Sequence, residues 1–255
     1  GDGLRMNVAN PPLLPDSCVV QTPEPLTVQR NRFGVGLDEN NWMPNGGSAI
    51  RIDGVIARPP GFATGGDGNT LIGDRFPSSQ NLLLHQNGAA IVIVGAATRI
   101  PISGNRSLNA NQLVDLGGDG PTPNDPGDGD SGPNTLLNAP IPGLAVVDLA
   151  ARVVRVSYTL DASFSGGDEP RVYLYRVGET QELVAVDNSV VTGSNNIDLS
   201  LSSAIDAGDQ LALSLVSPTL GSSELSPPLA VVGVTPALVA QSRLENATPL
   251  RATLS

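Results

Sequence analysis

Asn45-Gly46-Gly47-Ser48-Ala49-Ile50-Arg51-Ile52-Asp53-Gly54 returns 41 residues later as Asn87-Gly88-Ala89-Ala90-Ile91-Val92-Ile93-Val94-Gly95, with one deletion. Ile50-Arg51-Ile52-Asp53 alternates apolar and polar residues, and Ile91-Val92-Ile93-Val94 is an unbroken apolar run, so each copy reads as a strand. A further strand-like unit, Gly68-Asn69-Thr70-Leu71-Ile72-Gly73, lies between the copies. It predicts a period of two turns of about 20 residues each. Short strands separated by Gly and Asn suit a β-solenoid, in which each turn buries its inward side chains only by stacking on its neighbours. Glycine supplies positive φ at the corners, and Asn tolerates the left-handed region there. A β-sandwich with one chance repeat is the other reading of the same residues.

Outward from the repeat, Leu4-Arg5-Met6-Asn7-Val8 and Thr98-Arg99-Ile100-Pro101-Ile102-Ser103 also alternate, and nothing up to residue 120 keeps a helical period. The first domain is therefore placed at residues 1–120. Gly (29) and Pro (22) make up a fifth of the 255 residues, while 40% are apolar, so a core is affordable but turns must interrupt it often. A net charge of −11 excludes nucleic acid and anionic membrane surfaces as expected partners. The longest apolar run, from Ala89 to Ala97, falls well short of the roughly 18 residues of a membrane span.

The chain has no Lys, one Cys (Cys18) and one His (His85). Schiff-base chemistry, a Walker lysine, a Lys-Asn crosslink, an intrachain disulfide, a zinc cluster and a histidine triad are all excluded. Cys18 is expected as a small buried apolar residue, and His85 at a turn or on the surface. The first residue is Gly1 and no leader pattern is present, which reads as a processed, secreted product or a fragment.

Residues 144–229 read as a second domain. Strands are expected at residues 153–159, 172–175, 183–187, 197–201 and 211–216, separated by Gly166-Gly167-Asp168, Gly193-Ser194-Asn195-Asn196 and Ala207-Gly208-Asp209. Turn signals spaced about ten residues apart suggest an antiparallel sandwich. The disulfide-and-Trp core of antibody domains is missing, because Cys18 and Trp42 lie elsewhere. Residues 230–255 form an extension. Within it Val231-Val232-Gly233-Val234 is a strand candidate, and Thr235-Pro236 opens either a short helix or an extended segment able to add to a neighbour.

Between the two domains, residues 121–143 read as a cap and linker. The run Leu116-Gly117-Gly118-Asp119-Gly120-Pro121-Thr122-Pro123-Asn124-Asp125-Pro126-Gly127-Asp128-Gly129-Asp130-Ser131-Gly132-Pro133-Asn134 is followed by Leu136-Leu137-Asn138-Ala139-Pro140. It resembles the terminal signature of bacterial secreted right-handed parallel β-helix repeat proteins, although Pro121 stands where that family has one more residue before the Thr-Pro-Asn-Asp run. Less specific likenesses lie at Gln29-Arg30-Asn31-Arg32-Phe33-Gly34-Val35, Gly68–Gly73 and Ser103-Gly104-Asn105. The resemblance implies an all-β chain: a short right-handed parallel β-helix of about five turns, then an immunoglobulin-like β-sandwich. In that family the second module ends in Ser-Glu-x-Ser, matched here by Ser223-Glu224-Leu225-Ser226.

For chemistry, Asp125, Asp128 and Asp130, with Asn124 and Asn134 nearby, offer the alternating oxygens that Ca²⁺ requires. The alternative is an Asx-turn loop whose oxygens bond local N–H groups. Solenoids of this shape include polysaccharide lyases and hydrolases. The outward candidates Arg32, Arg51, Asp53 and Asp74 form no paired-carboxylate pattern, so no catalytic residues are assigned. Cell-surface glycans would need aromatic platforms, and Trp42, Tyr158, Tyr173 and Tyr175 are scattered, with Tyr173 and Tyr175 on one strand face. The expectation is an extracellular structural protein that joins copies of itself head-to-tail through an uncovered starting turn, with residues 230–255 as the coupling strand. A carbohydrate-binding or polysaccharide-degrading module is the runner-up.

Overall fold

The computed structural model describes residues 4–8, 27–35, 43–54, 71–74, 76–148, 153–164, 166–200 and 205–233. Among them the chain is all-β, with two short 3-10 turns at Pro77–Ser79 and Pro133–Leu136. Cys18, Trp42 and residues 234–255 lie outside the described residues.

The first half makes successive passes through three parallel sheets. The first pass is β1 (Leu4–Val8), β2 (Thr27–Val28) and β3 (Arg32–Phe33). The second is β4 (Ile50–Gly54), β5 (Leu71–Gly73) and β6 (Leu82–Leu84), and the third is β7 (Ala89–Val94), β8 (Ile102–Ser103) and β9 (Arg106–Leu108). A fourth pass opens with β10 (Gln112–Leu116). Equivalent strands pair in parallel, giving the orders β1-β4-β7-β10, β2-β5-β8 and β3-β6-β9. Ile50 pairs with Ile91 and Ile52 with Ile93, so the two copies of the sequence repeat are direct neighbours.

That register corrects the expected period. Leu71–Gly73 belongs to the second sheet, so the 41-residue offset is one full pass and not two turns. Three complete passes and one opening strand are described, against the five turns expected. Only the long strand of each pass carries a legible alternation; strands of two or three residues cannot show a period. The strand expected over 98–103 shrinks to Ile102–Ser103. Arg99 takes φ +60° there, and the Ile100 backbone is bonded to the Asn134 side chain instead of to a strand.

Ile50, Ile52, Ile72, Leu83, Ile91, Ile93, Ile102, Leu113 and Leu116 fill the space between the three sheets. One corner of this core is polar. Asn81 and Asn105 are fully buried, and Asn31 stacks on Asn81. Asn81 Nδ2 donates to Val28 O (2.7 Å) and Asn105 Oδ1 (2.9 Å), while its Oδ1 accepts from the Asn31 N–H (3.0 Å). Asn105 Nδ2 donates to Ile72 O. The amides thus satisfy backbone groups at corners where the ladder cannot, which removes the cost of burying them unpaired.

The second half comprises β11 (Ile141–Asp148), β12 (Val153–Leu160), β13 (Arg171–Val177), β14 (Thr180–Asp187), β15 (Gly193–Ser200), β16 (Gln210–Ser217), β17 (Gly221–Ser222) and β18 (Leu229–Gly233). The order is β15-β12-β11-β18-β16-β13-β14, antiparallel except for β11 beside β18. Val147, Val154, Val156 and Tyr158 on one side meet Val172, Leu174, Leu213 and Leu215 on the other in a second core. All five expected strands are present. Residues 193–196, expected as a turn, already belong to β15, and β11 begins inside the segment read as linker. The Pro142-Gly143 pair and the register shift between Pro142 and Ala145 hide the alternation of β11.

The two halves share a sheet edge and a core. β14 pairs antiparallel with β9 through Thr180↔Leu108 and Gln181↔Ser107, and Ser107 Oγ donates to Gln181 Oε1 at 2.8 Å. Val172 and Leu174 face the second core while Tyr173 and Tyr175 face the first. The tyrosine pair does share a face, but it packs under the parallel half and not inside its own sheet pair.

Candidate functional site

The last pass of the parallel half ends on exposed ladder edges unless something covers them, and each sheet is closed by a different device. The β9 edge receives β14. At β8, Ser222 Oγ accepts from the Ile102 N–H (2.6 Å) and donates to Ile102 O (3.0 Å). Just before it, Asn134 accepts from the Ile100 N–H and donates to Ile100 O, both at 2.9 Å, and also to Ser222 O. These side chains imitate a neighbouring strand. Asn134, Thr135 and Leu136 are all left-handed to hold this pose, and Gly221 beside them has φ +101° and no room for a Cβ against the Asn134 amide. Tyr175 Oη accepts from the Gly104 N–H at 2.9 Å, and burial pushes its hydroxyl above the ordinary range.

Glu224 closes the β10 edge at its Leu116 end. One oxygen accepts from the Leu116 N–H (2.7 Å) and the other from the Thr122 N–H (2.8 Å). Thr122 Oγ1 completes the loop by donating to Leu116 O. Burial raises the Glu224 carboxyl, the two backbone donors oppose the rise, and Asp115 adds to it. The Ser223-Glu224-Leu225-Ser226 run therefore has a structural role. Ser223 Oγ accepts from the Leu215 N–H and Ser226 Oγ from the Leu213 N–H, while Glu224 reaches across to the other half.

The Asp-rich loop sits beside this seal. Asp125 Oδ2 accepts from the Gly129 N–H (3.0 Å), Asp128 Oδ1 from the Asn138 N–H (2.8 Å) and Asp161 Oδ2 from the Gly127 N–H (3.0 Å). Asn124 is engaged on both sides with Ala139, and Asn134 is held away at Ile100. Of the five candidate ligands, Asp125, Asp128 and Asp130 are brought near one another, joined by Asp161, which the sequence reading missed. Desolvation, then the neighbouring carboxylates, raise both Asp128 and Asp130. Asp125 Oδ1 and Asp130 Oδ1 are buried atoms with no hydrogen-bond partner. Among the described residues no group of three or more His, Cys, Asp or Glu side chains is placed to hold a metal ion.

A groove of about 650 Å³ opens next to Glu224, where the two halves meet. Val114 and Gln112 of β10 form its floor, and Pro121, Pro140, Ile141, Pro227 and Pro228 are among its walls. Ile141 also lies at the surface, close to half exposed at 48%.

The remaining candidates do not converge. Arg51 and Asp53 lie on β4, Arg32 on β3 and Asp74 beyond β5, in three different sheets. His85 occupies a left-handed corner (φ +55°) and meets Asn109 at 3.2 Å. Sequence reading missed the Asn31–Asn81–Asn105 stack, because its spacings of 50 and 24 residues show no period. No protein-family model, curated protein or solved structure matches the chain. Among the described residues no helix is long and apolar enough to cross a membrane.

Proposed function

We propose that this is an extracellular structural protein, built as a short right-handed parallel β-helix closed by an immunoglobulin-like β-sandwich, which associates with copies of itself through the start of the helix. The asymmetry of the two ends carries this reading. Among the described residues, β1, β2 and β3 each have a neighbour on one side only, whereas the far end is covered by β14, Ser222, Asn134 and Glu224. Unpaired N–H and C=O groups along a strand edge favour pairing with another chain. Contact between a start and the far end of another copy, where β10 is covered only at Leu116, would run on as a head-to-tail filament, whereas contact between two starts would close as a dimer. Residues 230–233 of the supposed coupling strand are taken up in β18. Asp125, Asp128 and Asp130 are not grouped around an ion in this arrangement, so Ca²⁺ binding in this reading would have to draw them together, offsetting their mutual repulsion.

Light scattering across a concentration series tests the assembly. A dimer supports pairing of like ends, an open-ended series of masses restores the head-to-tail filament, and a monomer at every concentration removes self-association.

A further inference from the structure

The groove beside Glu224 contains one buried polar side chain that the fold leaves half used. Gln181, on β14 at the junction with β9, is only 7% exposed. Its Oε1 accepts from Ser107 Oγ at 2.8 Å, whereas its Nε2 donates to none of the described residues. That nitrogen is not sealed in the interior, and Gln181 lines the groove, so its N–H groups open there. A donor held in so buried a place gains from an acceptor that enters beside it.

We propose that the groove takes a neutral small molecule with an apolar body and a carbonyl oxygen, an acyl ester or acyl amide, whose oxygen accepts from Gln181 Nε2. The walls determine the rest of its chemistry. Val114, Ile141, Leu225, Pro140 and Pro228 offer hydrocarbon surface on several sides. Among the described residues no Arg or His lines the groove, and its one carboxylate, Glu224, already accepts from the Leu116 and Thr122 N–H groups. An anionic head would meet that carboxylate and find no cation, which disfavours it. An ammonium head would set donor against donor at Gln181. Mostly apolar walls with a few placed polar groups, in a volume of roughly 300–1,000 Å³, are the usual form of a small-molecule site, and this groove holds about 650 Å³. The hydrocarbon then supplies the affinity and Gln181 the orientation. The site is independent of self-association through β1, β2 and β3.

Titration of the isotope-labelled full chain with N-ethyloctanamide and with ethyl octanoate tests it, read by NMR at the Gln181 side-chain amide and the Val114 backbone. At least one of these neutral probes should shift both signals saturably, and the tighter of the two names the acyl source. Octanoate and octylammonium should bind roughly tenfold more weakly or worse. Two variants attack the contact from opposite sides. Gln181→Glu keeps the acceptor of Ser107 Oγ and removes the donor, whereas Ile141→Arg leaves the amide in place and obstructs the exposed rim. Each should weaken the tighter neutral probe by roughly tenfold. No saturable shift at Gln181 with either neutral probe overturns the proposal, and so does octanoate or octylammonium binding as tightly. Should Gln181→Glu fail to fold, unchanged affinity in Ile141→Arg overturns it alone.

Discussion

The parallel and antiparallel halves are both β-structure, yet different forces specify them. In the antiparallel half two layers enclose Val147, Val154, Val156, Leu174, Leu213 and Leu215, and hairpin pairs such as β11–β12 and β13–β14 are joined by the longer-range pairs β12–β15 and β13–β16. The parallel half pairs residues 41 to 50 positions apart at β4–β7 and β3–β6, and its core contains a stack of asparagine amides. Apolar burial tolerates adjustment of shape, whereas a buried amide that loses one partner strands the others. The contrast makes the parallel half the more brittle of the two, and its far end is finished by residues that the antiparallel half supplies.

The largest expected effect follows from Asn81→Leu. It leaves two buried acceptors, Val28 O and Asn105 Oδ1, without their partner, and frees the Asn31 N–H, whose residue is exposed. At roughly 1–3 kcal/mol for each buried group unpaired, the loss should be about 4 kcal/mol in urea unfolding. Hydrogen exchange should show β4 to β9 loosened and β12 to β16 retained. Loss of both halves together would erase the distinction. Asn134→Leu should cost about 3 kcal/mol by the same reasoning, because the Ile100 N–H and C=O both lose their partner. Its signature is exchange at Ile100 and Ile102, where the halves meet.

A smaller effect is expected from Tyr175→Phe, which keeps the ring and removes the acceptor of the Gly104 N–H. A loss of about 1–2 kcal/mol in the thermal or urea transition is expected. The smallest concerns the Asp-rich loop. Desolvation and neighbouring carboxylates raise Asp128 and Asp130, so the folded state holds their protons more firmly than the unfolded chain does. Their contribution is fully present at acid pH and is lost as pH rises through the raised values. Exchange of the Gly127 and Gly129 amides should accordingly slow between neutral pH and the upper carboxylate range, after correction for the intrinsic rate. Millimolar Ca²⁺ at neutral pH should produce the same slowing if the ion binds there. No response to Ca²⁺ leaves the loop to its own Asx-type bonds.

Much of the architecture was legible. Alternation at Ile50–Asp53 and the apolar run at Ile91–Val94 located two strands that prove to be neighbours, and the second half yielded five strands. What escaped had no local signal. A two-residue strand such as Thr27–Val28 has no period, and β11 is disguised by Pro142 and Gly143. Asp161 joins the Asp-rich loop from 31 residues beyond Asp130.

By itself the sequence determined the all-β class and a repeated strand at an offset of 41 residues, because strand periodicity and Gly/Asn punctuation are local properties of the chain, whereas the parallel pairing of the two copies was decided by the fold. It also determined the chemistry that is absent, since a chain without Lys and with one His and one Cys lacks the atoms for it. The tertiary structure alone decided which amides stack at the buried corner. It alone decided that Tyr173 and Tyr175 serve the other half's core, and that Glu224, Ser222 and Asn134 close one end of the ladders. Each of those depends on where distant backbone N–H and C=O groups come to rest without a partner, and that is fixed only when the passes are stacked.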